Sequence, residues 1–146
     1  MVRIDVKYEG KLRCTATHVT SGKKLITDAP LDNHGKGESF SPTDLLATSM
    51  LTCIMTIIGI RAKKREINVD GMLGSIEKTM TTNPRRIGKL EVRINLPKNL
   101  SLENREWLIK EGCDCPVCFS INQTMDVNII FICLLYTSPS PRDLRK

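Results

Sequence analysis

The first third of the chain alternates apolar and polar positions with a period of two. Val2, Ile4, Val6 and Tyr8 share one face, Glu9-Gly10 marks a turn, Leu12, Cys14 and Ala16 continue the pattern, and Ser21-Gly22 turns again before LITD at 25–28. This alternation predicts an antiparallel meander followed by the polar loop DNHGKGES at 32–39. SPTD at 41–44 is a helix start: Ser41 can cap, Pro42 takes the first helical position and Asp44 completes a capping box three residues on. The predicted helix runs to RAKKR at 61–65, whose positive charges suit a C-terminal dipole. Between these ends Leu45, Leu46, Met50, Leu51, Ile54, Met55, Ile57, Ile58 and Ile60 leave no polar face. Such a helix requires enclosure on every side, and in a chain this small the walls are expected to include a second subunit.

Strands are predicted again after Glu66. The clearest is KLEVRINL at 89–96, with Leu90, Val92, Ile94 and Leu96 inward, Lys89, Glu91, Arg93 and Asn95 outward, and Pro97 ending it. A short helix capped by Ser101 and stopped near Gly112 follows, then a cysteine-led helix from Pro116 and a strand around MDVNIIF at 125–131. Strand groups and helix groups are segregated, which predicts an α+β fold.

The segment CLLYTSPSPRD at 133–143 matches the in-frame translation of a short-read sequencing adapter. Residues 133–146 are therefore set aside as a non-native tail, expected to be disordered, and 1–132 as a single native domain ending near Ile132. Without Arg142, Arg145, Lys146 and Asp143 the formal charge falls by two, from +6 to +4. That excess is too small and too scattered to predict nucleic-acid binding, aromatic residues for stacking on bases are few, and the helix end and the turn NPRR at 83–86 account for the basic clusters. The longest nearly apolar run, 45–60, falls short of the ~20 residues that span a bilayer, so no membrane partner is expected. No charged and apolar leader precedes the first strand, so the expected compartment is the reducing cytoplasm, where cysteines are reactive or metal-bound more often than structural disulfides.

Five cysteines precede the tail: Cys14, Cys53, Cys113, Cys115 and Cys118. Because Cys115 precedes Pro116, it is the predicted N-cap of the last helix, where unpaired N–H groups and the helix dipole favour a thiolate. Cys118, one turn on, lies at the spacing of a CxxC redox pair and could form a disulfide with Cys115. A zinc module at Cys113, Cys115 and Cys118 is the rival, although a closed zinc site wants four ligands and neither His18 nor His34 has a partner at ligand spacing. Cys14 reads as a small buried filler beside Leu12. Cys53, in the middle of an apolar helix, reads from its neighbours alone as an inert core residue with a raised pKa.

SPTDLLATSMLTC at 41–53, followed some sixty residues later by CPV at 115–117, resembles the osmotically inducible protein C and organic hydroperoxide resistance (OsmC/Ohr) family, and LRCTATHVTSGKKLITDAP at 12–30 is similar to the N-terminal hairpin of its less characterised members. The resemblance implies antiparallel sheets wrapped around a long central buried helix, in an intertwined homodimer with its active sites at the interface. It implies thiol peroxidase chemistry recycled by an external dithiol such as a lipoylated protein, with no bound cofactor and no metal expected; the apolar surroundings of Cys53 point to organic, fatty-acid-like hydroperoxides as the substrate class. Cys53 matches the peroxidatic cysteine and Cys115 the resolving one. Arg13 is the candidate for the arginine that holds the Cys53 thiolate. The orienting glutamate directly follows the proline in well-studied members; here Thr43 stands there and the acid comes one later, as Asp44. Asp44 is also explained as a cap, and nine residues before Cys53 it falls on the opposite side of a regular helix. Rival readings within the same fold are a non-enzymatic binder of a lipid-like ligand and a slow redox sensor.

Overall fold

The computed structural model describes residues 1–121 and 125–132. The expected adapter-derived tail, 133–146, lies outside the described residues. The chain divides into two compact units, Met1–Leu46 and Ala47–Lys146.

In the first unit, β1 (Ile4–Gly10), β2 (Arg13–His18) and β3 (Lys24–Asp28) form an antiparallel sheet in the order β1-β2-β3, the predicted meander. The β1–β2 turn is tight: Gly10, Lys11 and Leu12 all have positive φ, at 91°, 55° and 64°. Only the glycine takes that conformation without steric cost. The apolar positions of β1 are exposed. Val6 and Tyr8 are each 62% exposed and Ile4 59%. Past β3, a 3-10 turn at Leu31–Asn33 leads to helix α1 (Pro42–Lys64).

The second unit holds β4 (Leu73–Thr81), β5 (Arg86–Asn95), α2 (Leu102–Gly112), α3 (Pro116–Ser120) and β6 (Asp126–Ile132), with sheet order β4-β5-β6. β4 and β5 pair antiparallel, but β5 and β6 pair parallel, from Lys89 with Asp126 to Asn95 with Ile132. The expectation of purely antiparallel sheets is corrected here. The chain leaves β5 through α2 and α3, a crossover long enough to return the next strand in the same direction. Leu90, Val92, Ile94 and Leu96 are all buried, as their alternation predicts.

α1 presents one buried stripe, Ala47, Met50, Leu51, Ile54, Ile58 and Ala62, at helical spacing. Expected enclosure on every side is not met within the chain: Leu46 and Ile60 are exposed. By length and composition α1 could cross a membrane, since the helix extends beyond the apolar run on which the opposite expectation rested. Its stripe instead belongs to a core shared with β5 and α2. Two glycines set how closely that core packs. A Cβ on Gly74 of β4 would meet Met55 Sδ at 2.8 Å and Leu51 Cδ1 at 3.0 Å, and one on Gly112, the last residue of α2, would meet Ile58 Cγ1 at 2.7 Å. α2 is further held to the end of α1 by Arg61 with Glu111 at 3.3 Å and by the Arg65 guanidinium 3.7 Å above the Trp107 ring.

Candidate functional site

The segment that follows Gly112 lies against the middle of α1. Cys113 caps the C-terminus of α2 and its thiol donates to the Ile109 carbonyl at 3.4 Å. Cys115 is the N-cap of α3 with Pro116 after it, and its sulfur accepts the Cys118 backbone N–H at 3.3 Å, as the Cys-Pro sequence predicts. Cys115 is fully buried, whereas Cys53 and Cys118 are partly exposed. Cys53, on α1, lies near enough to Cys115 and to the Val117 backbone N–H for both to act on its thiol. Cys115 Sγ is 3.0 Å from Cys118 Sγ, and Cys118 Sγ is 3.2 Å from Met50 Sδ. The sulfurs of Cys115, Cys118 and Met50 thus form a continuous contact chain, with Cys53 beside its Cys115 end.

The environment disfavours the thiolate forms of Cys53 and Cys115. Burial pushes the Cys53 thiol above its ordinary value; the Val117 N–H opposes this and the neighbouring Cys115 adds to it. Cys115 is also pushed up, first by burial and then by the Cys118 side chain, against the Cys118 N–H and the Cys53 thiol. This corrects the expected N-cap thiolate. α3 has only five residues, and its N–H contribution is smaller than the cost of charging a sulfur with no exposure to water. Cys113 is raised as well, by burial and then by Asp114 and Cys115.

Arg13 and Asp44 belong to the first unit, each in a local arrangement. Arg13 on β2 is the register partner of Asp28 on β3; its Nη2 lies 3.4 Å from Asp28 Oδ2 and also pairs with Glu38. Asp28 is 1% exposed, and its Oδ2 accepts the Glu38 backbone N–H at 2.9 Å. That bond, with Arg13 adding and burial opposing, holds the Asp28 carboxyl below its ordinary value, while Asp28 and then Glu38 hold the Arg13 guanidinium up. Asp44 forms the predicted capping box: Ser41 N–H donates to its Oδ2 at 2.9 Å and its own N–H donates to Ser41 Oγ at 3.1 Å.

The structure therefore brings together Cys53 and Cys115, and adds Cys118 and Met50. Asp28 and Glu38, the carboxylates on Arg13, escaped the sequence reading. Asp28 carried a signal, a charged residue closing the β3 alternation. Glu38 carried none, standing in a polar loop. Cys14 stays in the first unit, paired across the sheet with Tyr8 and Thr27. Among the described residues no group of three His, Cys, Asp or Glu side chains is placed to hold a metal ion, and Cys113 is turned to α2 while Cys115 and Cys118 face each other.

The family model for OsmC-like protein matches residues 35–130. A Psychrobacter arcticus structure described as an osmotic stress induced and detoxification response protein is 40% identical, with 90% of this chain and 96% of that chain covered and a TM-score of 0.86. An OsmC-like protein of unknown function from Vibrio cholerae is 14% identical, over 90% of this chain and 99% of that one, with a TM-score of 0.76. An organic hydroperoxide resistance protein from Legionella pneumophila, also described as a predicted redox protein, is 19% identical over 92% and 97% of the two chains, with a TM-score of 0.70. These last two show likeness of fold. Among curated proteins none matches the chain.

Proposed function

The chain belongs to the OsmC family, whose members are associated with hydroperoxide resistance and osmotic stress, and we propose that it is a cysteine-based thiol peroxidase for organic hydroperoxides. The observation that carries this reading is the proximity of Cys53 and Cys115, two thiols distant in the chain that act on each other's pKa. The Cys53 thiolate attacks the peroxide O–O bond and becomes a sulfenic acid as the alcohol leaves. Cys115 then displaces water to form the Cys53–Cys115 disulfide, and an external dithiol returns both thiols by exchange. Apolar neighbours of Cys53, among them Met50, Ile54 and Ile57, favour a substrate with an alkyl tail over bare hydrogen peroxide. The family resemblance assigns to Arg13 the cation that lowers the cost of the Cys53 thiolate; within its own unit Arg13 is held by Asp28 and Glu38, and Asp44 acts as a helix cap. In the same reading the protein works as a homodimer, which would cover the exposed apolar face of β1 and the outer face of α1.

Steady-state reduction of cumene hydroperoxide with dihydrolipoamide as reductant tests this. Cys53→Ser is expected to abolish turnover, and retained turnover would overturn the assignment. The raised pKa of both Cys53 and Cys115 favours a second reading, a slow redox sensor of the same fold. A sensor stops after one oxidation per chain, whereas a peroxidase continues while dithiol lasts.

A further inference from the structure

Cys115 has two other thiols beside it. Its proximity to Cys53 accounts for the resolving step, but that step leaves Cys118 unused, with its sulfur 3.0 Å from the same Cys115 Sγ. Cys118 is not an incidental filler: its backbone N–H and its sulfur both meet Cys115 Sγ, and its thiol is seated on Met50 Sδ, a weak acceptor that is itself fully buried. Burial distinguishes Cys115 from Cys118. Cys115 has no exposure through which an external dithiol could attack it, while Cys118 retains partial exposure.

Resting on the peroxidase reading above, we propose that Cys118 is a second resolving cysteine, which takes Cys115 from Cys53 so that the disulfide presented to the reductant is Cys115–Cys118. In this step the Cys118 thiolate attacks Cys115 Sγ, the Cys115–Cys118 bond forms, the Cys53–Cys115 bond breaks, and Cys53 leaves as a thiolate that takes up the proton given by Cys118. No net oxidation occurs, because the oxidising equivalents came from the peroxide. Cys53 is thereby released for a second peroxide before any reductant arrives. The external dithiol then attacks Cys118 Sγ and restores Cys115 and Cys118.

Titration of the fully reduced chain with cumene hydroperoxide, in the presence of dimedone and with no added dithiol, distinguishes the possibilities. The wild type is expected to consume about two equivalents per chain and to end with Cys115 linked to Cys118 and a dimedone adduct on Cys53, by non-reducing peptide mapping. Cys118→Ser and Cys118→Ala are expected to consume about one, ending with Cys53 linked to Cys115 and no adduct. Wild-type protein that consumes one equivalent and yields only the Cys53–Cys115 link overturns the relay and leaves the peroxidase reading standing. Consumption unaffected by Cys53→Ser overturns both. As a measurement independent of the Cys118 variants and of peroxide, Cys53→Ser treated with diamide is expected to form the Cys115–Cys118 disulfide, and failure to form it counts against the relay.

Discussion

Arg13 and Asp28 face each other as register partners on β2 and β3, and Arg13 Nη2 closes the pair 3.4 Å from a carboxylate that is almost wholly buried. Because the folded pKa of Asp28 is depressed, its contribution to stability is present above the unfolded carboxylate value and is lost as pH falls through the folded one. Thermal unfolding of Asp28→Asn is therefore expected to show a lower midpoint than wild type at pH 7, with the difference closing below about pH 4. Parallel acid profiles for the two proteins would show that this carboxylate is not a source of the pH dependence.

Burial, with Cys115 adding to it, raises the Cys53 pKa, so reactivity near neutral pH needs a compensating positive charge. If Arg13 provides it, Arg13→Ala moves the ascending limb of the pH–rate profile with cumene hydroperoxide upward by about one to three pH units, and Arg13→Lys recovers part of the shift. The measurement is the second-order rate constant of the reduced protein between pH 5 and 10. An unmoved limb would confine Arg13 to pairing with Asp28 and Glu38.

Ser41 and Asp44 exchange two hydrogen bonds at the start of α1. Asp44→Ala is expected to cost about 0.5–2 kcal/mol in urea denaturation while the peroxide rate of the folded protein changes less than about twofold. A much larger loss of rate would return Asp44 to the catalytic role that the family resemblance implies.

Ile4, Val6 and Tyr8 lie exposed on one face of β1 in the single chain. If a second copy covers this face, Val6→Glu shifts the protein from dimer to monomer in sedimentation velocity at micromolar concentration. Identical sedimentation of the two proteins would remove β1 from the interface.

Comparing β1 with β5 shows what the amino-acid pattern can and cannot disclose. Both alternate at period two and both became strands, yet the apolar face of β5 is buried and that of β1 is exposed. Periodicity says which side chains share a face and is silent on what covers them. Direction of pairing was equally hidden: β6 was legible as a strand, but its parallel match to β5 follows from the course of α2 and α3. The N-cap position of Cys115 was legible from Pro116 because it is a local backbone preference, whereas its raised pKa was not, because burial is set by the whole core. Nothing near Arg13 in the sequence named Asp28 as its partner; strand register brings them together.

Gly112 ends α2 without a side chain, and a methyl group there would collide with Ile58. The missing side chain acts as a spacer of zero thickness between α2 and α1. Cys115 and Cys118 follow the end of that helix, and a larger residue at 112 would require Ile58 or the end of α2 to move. The reach between thiols that are remote in the polymer is thus regulated at a position that carries no chemistry, and a chain altered there could keep every cysteine and still lose the ability to join them.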